Sequence, residues 1–129
     1  MRGQVITEYM AFLGLAFLIA LILVAYTADQ ASIASDARHE RAVTDQVAYL
    51  QDEILAAYIA RDGYTSTIEF TPPYQGVRMN LTIDPNTITV ESARYRASRP
   101  IPNITASIAI DEGTIRIEKR NDTITVSIP

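Results

Sequence analysis

The chain begins with an apolar stretch and then changes its hydrophobic pattern twice. Residues 9–28 carry no charge and consist mainly of Leu, Ala, Ile and Phe. At about 1.5 Å per residue in a helix, this run spans about 30 Å, the thickness of the hydrocarbon core of a bilayer. Glu8 precedes the run, and acidic residues follow it from Asp29. The pattern predicts an apolar helix suited to a membrane or to packing among other helices.

After the charge-free run the chain keeps a helical period. One stripe advances by three or four positions at each step, through Val43, Val47, Leu50, Ile54, Ala57 and Arg61. No glycine lies between Gly14 and Gly63, and the first proline is Pro72. We therefore predict one helix from about Val5 to about Asp62, about 85 Å long. Gly63 is expected to terminate it as the residue just beyond its C-cap.

Beyond this helix the apolar period changes to two, which is typical of half-buried strands rich in Thr, Ile and Val. The alternation predicts six short strands, with apolar positions at Ile68 and Phe70; Val77, Met79, Leu81 and Ile83; Ile88 and Val90; Ile104, Ala106, Ile108 and Ile110; Ile115 and Ile117; and Ile124, Val126 and Ile128. Turn residues separate them at 72–76, 84–86, 99–103, 111–113 and 120–122.

These elements predict an α+β fold, in which a small antiparallel sheet or sandwich packs on the apolar stripe of the helix. The expected segments are a leader at 1–3, an apolar helix at 4–28, its amphipathic continuation at 29–62 and a β head at 63–129. Arg2 precedes the apolar run and acids follow it, so the bias of basic residues toward the cytoplasm predicts that the head lies outside.

The chain has a formal net charge of −4, and its charged residues are distributed unevenly along the sequence. Residues 29–62 carry seven acids and three arginines, whereas residues 63–129 carry seven acids and seven bases. Neither region has the basic surplus typical of nucleic-acid binding, so no nucleic-acid partner is expected. The acidity of 29–62 indicates a solvated helix face.

Few residues are suited to catalysis. His39 is the one histidine and cysteine is absent, so we expect no metal site, no cofactor and no nucleophile–base pair, and we do not expect an enzyme. The acids of Asp52-Glu53 are adjacent and do not share a helix face. Asp111-Glu112 is interpreted as part of a hairpin turn.

Three tripeptides match the acceptor pattern for N-linked glycans, beginning at Asn80, Asn103 and Asn121. All three fall in the predicted head. The alternative interpretation is that they are ordinary strand and turn residues, with Asn121 beginning a hairpin turn.

Two residues of the apolar region have open roles. Glu8 is an acid at the edge of a long apolar run, which is costly unless it reaches water or finds a partner. A partner supplied by another copy is one hypothesis, and contact with water at the membrane surface is the other. Gly14, with Ala11 and Leu18 on its face, is either a tolerated helix glycine or a site of close helix approach.

The start of the chain resembles a type IV pilin precursor, and most closely the archaeal form with a class III signal peptide. Arg2-Gly3 is followed by Gln4-Val5-Ile6-Thr7-Glu8-Tyr9 and then by the unbroken apolar run. The resemblance implies cleavage by a membrane peptidase between Gly3 and Gln4. It also places Glu8 at the fifth mature position, and the Glu8–Tyr9 pair is similar to that of small Flp-type pilins. Bacterial pilins begin with Phe, from which Gln4 departs.

The resemblance covers residues 2–28 by motif, and the head by architecture alone. It implies a structural subunit of an extracellular, adhesive filament, held in the cytoplasmic membrane before assembly. It also implies a peptidase, an assembly machinery and further copies of the chain as partners, with Glu8 meeting the N-terminal amine of Gln4 on a neighbour. Because no proline interrupts the apolar run, we expect a continuous helix in the filament core. Three alternatives remain: a single-pass membrane protein with a β-rich binding head, a minor pilin or pseudopilin, and an archaellin.

Overall fold

A computed structural model describes residues 2–73 and 77–129. The elements follow the order α1 (Arg2–Ile59), β1 (Thr65–Phe70), β2 (Met79–Asp84), β3 (Thr87–Ser92), β4 (Arg96–Pro100), β5 (Ile108–Ile110), β6 (Gly113–Arg120) and β7 (Thr123–Ser127). The predicted α+β class is confirmed, since one long helix precedes two small antiparallel sheets that pack against it.

The helix is longer at its start and shorter at its end than predicted. It begins at Arg2 and ends at Ile59. Gly63 has a positive φ of 92°, but it belongs to a turn beyond the helix, in which the N–H of Tyr64 donates to the carbonyl of Arg61 at 3.2 Å. A glycine is needed there because φ is positive. The prediction that Gly63 directly terminates the helix was therefore wrong by one turn.

The chain divides into two compact units, Met1–Arg38 and His39–Pro129. The second unit, called the head below, contains the last part of α1 and all seven strands. Its core includes the predicted stripe, with one member excepted: Arg61 lies beyond the helix and is exposed. The buried helix residues are Ala42, Val43, Val47, Leu50, Ile54 and Ala57.

Among the described residues the head has seven strands, one more than predicted, and they form two sheets. One sheet has the order β1-β6-β7 and the other β4-β3-β2-β5. The additional strand is β4, whose sequence has no apolar alternation. It forms because it pairs with β3, with Thr89 opposite Ser98, and the hydroxyl oxygens of these two residues are 2.9 Å apart.

Two strand predictions change in detail. The segment 104–110 contributes only β5, because Thr105 forms a parallel bridge with Thr125 on β7 before the chain reaches β2. Asp111-Glu112 does not form a hairpin turn, since β5 pairs with β2 whereas β6 pairs with β1 and β7. These two residues instead carry the chain from one sheet to the other.

The inward faces of both sheets follow the predicted alternation. The buried strand residues are Ile68, Phe70, Met79, Leu81, Ile83, Ile88, Val90, Ile115, Ile117, Ile124 and Val126, together with Thr89 and Lys119. Val77 lies before β2, and Ile128 follows β7 and is exposed. The predicted turn at 72–76 lies partly outside the described residues.

Candidate assembly surface

Residues 4–28, here called the apolar half of α1, present a continuous hydrophobic surface. Its large apolar side chains are all between 50% and 71% exposed; they are Val5, Ile6, Tyr9, Met10, Phe12, Leu13, Leu15, Phe17, Leu18, Ile19, Leu21, Ile22, Leu23, Val24 and Tyr26. By length and composition this part of the helix is able to cross a membrane. The surface is therefore compatible with membrane insertion.

The predicted cleavage and assembly residues lie together at the start of this surface. Gly3, Gln4 and Glu8 are all helical and exposed. The side-chain amide of Gln4 donates to the Glu8 carboxylate at 3.3 Å, a pairing that helical neighbours four residues apart commonly make. The Thr7 hydroxyl donates to the carbonyl of Gly3 at 2.9 Å. Among the described residues no cation pairs with Glu8.

Gly14 lies on the open surface of the apolar half. A Cβ added there would meet no atom within 4 Å. A single copy of the chain therefore leaves both interpretations of Gly14 in place, since close helix approach requires a second helix.

The three predicted glycan acceptors are all exposed, but they lie in different local structures. Asn80 is on β2, opposite Glu91 of β3. Asn103 lies in the connection between β4 and β5, beside the buried Ile104. Asn121 and Asp122 form the two-residue turn between β6 and β7, with positive φ values of 50° and 62°. Asn121 is therefore a hairpin-turn residue, and its side chain is accessible as well.

The candidates for chemistry remain apart. His39 is half-buried on α1. Within residues 2–73 and 77–129, no three His, Cys, Asp or Glu side chains come together in a way that would hold a metal ion.

Lys119 is a structural residue whose role was not predicted from the sequence. Only 7% of it is exposed, and its ammonium donates to the carbonyls of Tyr58 at 2.7 Å and Ala60 at 2.9 Å. The ammonium also lies 3.3 Å from an Asp122 carboxylate oxygen and 5.7 Å from the centre of the Tyr58 ring. Carbonyls at a helix C-terminus lack partners within the helix, and a cation there is favourable.

The signal for this role was present in the alternation of β6. Ile115 and Ile117 point inward, and a period of two places Lys119 on the same inward face. A lysine at an inward position requires partners, and the end of the helix supplies them. Lys119 thereby connects the three-stranded sheet to the C-terminus of α1.

Comparison with known proteins identifies no relative: no family model, no curated protein and no solved structure matches the chain. The fold defines an α+β protein with an exposed apolar N-terminal helix. Its function must therefore be inferred from its surfaces.

Proposed function

We propose that the protein is a structural subunit, a major pilin, of an extracellular type IV pilus-like filament with an adhesive role. In this proposal residues 4–28 lie in the cytoplasmic membrane of the precursor. During assembly they leave the lipid and bury the same surface against other copies of the chain.

The exposed apolar surface of α1 supports this proposal most directly. Fifteen large apolar side chains between Val5 and Tyr26 are at least half exposed. Full burial of each contributes roughly 1.5–3 kcal/mol, so the sum is on the order of tens of kcal/mol. Such a surface requires lipid or other apolar helices around it. In a filament, the contact between copies is heterologous and does not close, so it repeats without limit.

Helix continuity adds a second line of support. The helix continues without a break from the apolar half into the head, where its stripe enters the core. A membrane anchor alone requires only about 20 apolar residues. The additional helical length is suited to a subunit whose head is built on the same helix that packs in a filament core.

The start of the chain supplies the remaining elements of the proposal. A prepilin peptidase is expected to cleave between Gly3 and Gln4, and the assembly machinery then extracts the processed chain. The Glu8 carboxylate is proposed to bind the new amine of Gln4 on a neighbouring copy, because both groups otherwise lie at the edge of an apolar environment. Glycans on Asn80, Asn103 or Asn121 would lie on the exposed surface of the head.

Shearing of producing cells tests the proposal. We expect electron microscopy to show filaments in the sheared fraction, with this chain as their main protein. Its intact mass should correspond to a chain whose first residue is Gln4. Retention of the chain in the membrane as a monomer, with Met1 present, would contradict the filament and support a single-pass protein with an external binding head. A minor pilin would instead be a trace component of filaments made by another subunit.

A matched pair of variants separates assembly from folding. Glu8→Ala is expected to reduce filament yield strongly while the precursor still accumulates in the membrane. Glu40→Ala, at an exposed acid outside the apolar region, serves as the control and is expected to assemble normally. Equal filament yields from the two variants would refute the role of Glu8.

A further inference from the structure

Among the described residues of the head, one face of the helix segment is exposed. Asp45, Tyr49 and Asp52, here called the acidic stripe, are spaced by four and three residues and therefore share a face. All three are exposed, Tyr49 by 51%, whereas the buried stripe through Val47 lies on the opposite side. Two carboxylates beside an exposed aromatic ring form a favourable site for an arginine, because a guanidinium binds carboxylates and also stacks on aromatic rings.

A complementary surface lies at the edge of the four-stranded sheet. Strand β4 is the outermost strand, and residues 92–110 contain three bases and no acid. These bases are Arg94, Arg96 and Arg99. The two that lie on β4, Arg96 and Arg99, are here called the arginine edge. Both Arg96 and Arg99 are exposed, and the Arg99 guanidinium donates to the side-chain carbonyl of Gln51 at 3.2 Å.

Within the part of the chain that the structure describes, ion pairs do not neutralise the acids of the acidic stripe or the bases Arg96 and Arg99. Among the described residues, Asp45, Asp52, Arg96 and Arg99 take part in no ion pair within 4.0 Å. Glu91 is opposite Arg96 in the strand register, so one acid lies beside the arginine edge. Charges of opposite sign are thus exposed on the helix segment and on β4 of the same head.

We propose that the acidic stripe of one copy binds the arginine edge of a second copy. A two-fold contact through either surface would place like charges against each other, which is unfavourable. The contact therefore joins unlike surfaces, one from each copy. A reciprocal pair of such contacts would close a two-fold dimer, whereas the same contact repeated in one direction is heterologous and generates the open-ended assembly proposed above. The inference rests on the proposed function in one respect, since assembly brings many heads together at high local concentration.

Charge exchange tests the pairing. One variant carries Asp45→Arg and Asp52→Arg, so that both of its surfaces are basic; the other carries Arg96→Glu and Arg99→Glu, so that both are acidic. Sedimentation velocity of the full chain in detergent measures association between heads while detergent covers the apolar helix. We expect each variant alone to associate about tenfold more weakly than the unaltered chain.

An equimolar mixture of the two variants is expected to recover association, because each basic surface meets an acidic surface on the other variant. The chain that combines all four substitutions should also recover it. Controls with Asp111→Arg and Glu112→Arg, or with Arg78→Glu and Arg120→Glu, reverse equal numbers of exposed charges elsewhere. They are expected to associate as the unaltered chain does.

The pairing would be refuted if the unaltered chain stays monomeric in detergent, if either variant associates normally, or if the mixture fails to recover. These outcomes are distinct from failure of the proposed function. Filaments that form without any measurable head contact would refute only this inference. Head contact that follows the expected charge rules, with no filament in sheared material, would support the pairing and refute the filament.

Discussion

The two parts of α1 use apolar residues in opposite ways. In the head, apolar residues fall on one stripe, and Leu50 is 2% exposed within a core that the two sheets complete. In the first unit apolar residues surround the helix, and Leu18 is 53% exposed. A stripe finds its partner within the chain, whereas a helix that is apolar on all sides requires lipid or neighbouring helices. The comparison indicates that one part of the helix specifies the fold and the other specifies the environment.

Truncation of one leucine in each part tests this comparison with the largest expected effect. Leu50→Ala should reduce the free energy of unfolding of the head by about 2–5 kcal/mol, because it leaves a cavity in the core. Leu18→Ala should leave it unchanged. Thermal and denaturant unfolding in detergent, followed by circular dichroism, measures both. Similar losses from the two substitutions would mean that the apolar half also contributes to the head core.

Removal of the buried cation at the end of α1 should have the next largest effect. Lys119→Met retains most of the side-chain volume but leaves the carbonyls of Tyr58 and Ala60 without this donor. We expect a loss of about 1–3 kcal/mol in the stability of the head. Arg120→Ala, at the neighbouring exposed position, is the matched control and should change stability little. Equal stabilities for the two variants would contradict the role assigned to Lys119.

Gly63 and Gly14 provide a smaller contrast. Gly63→Ala should destabilise the head by about 1 kcal/mol, because φ is 92° at this residue and an L side chain is strained there. A Cβ at either Gly63 or Gly14 meets no atom within 4 Å, so crowding does not enter the comparison. Gly14→Ala should leave the unfolding of the head unchanged and increase the helicity of the apolar half. A loss of head stability with Gly14→Ala would contradict the separation of the two parts.

Gln51 and Gln4 provide a further contrast of similar size. Gln51 connects α1 to β4, since its amide donates to the carbonyl of Pro100 at 2.8 Å and its carbonyl accepts from Arg99. Gln51→Ala is expected to reduce head stability by about 0.5–1.5 kcal/mol. Gln4→Ala removes only a contact within the apolar half and should have no effect on head unfolding. Fluorescence-detected or calorimetric melting of both variants would measure the difference.

Much of the head was predictable because its residues follow simple periods. The stripe through Val47 and Leu50 marked the buried helix face, and alternation marked the inward positions of most strands. The turn at Asn121 was likewise indicated by its residue type. In each case local chemistry and tertiary packing favour the same conformation.

Other features depend on contacts that are remote in sequence. Strand β4 has no alternation and forms because β3 supplies hydrogen bonds. The passage of Asp111-Glu112 between sheets depends on which strands pair, and the residues of a turn do not specify this. The function of Lys119 depends on the meeting of β6 with the end of α1.

The candidate site was predictable as residues but not as an assembled contact. Gly3, Gln4 and Glu8 could be named from the sequence, and the structure places them along one helix end. Their proposed partner belongs to another copy. Predicting a contact between copies requires the geometry of the assembly. Neither the periodicity of the sequence nor the fold of one chain provides that geometry.

A helical reconstruction of sheared surface filaments by electron cryomicroscopy would test most directly the proposal that the apolar helix forms the filament core. We expect residues 5–28 of many copies to form a central bundle of unbroken helices with no water between neighbours. The Glu8 carboxylate should lie within ion-pairing distance of the Gln4 amine of another copy. Filaments whose core lacks this helix, or a chain that is found only as a monomer in the membrane, would contradict the proposal.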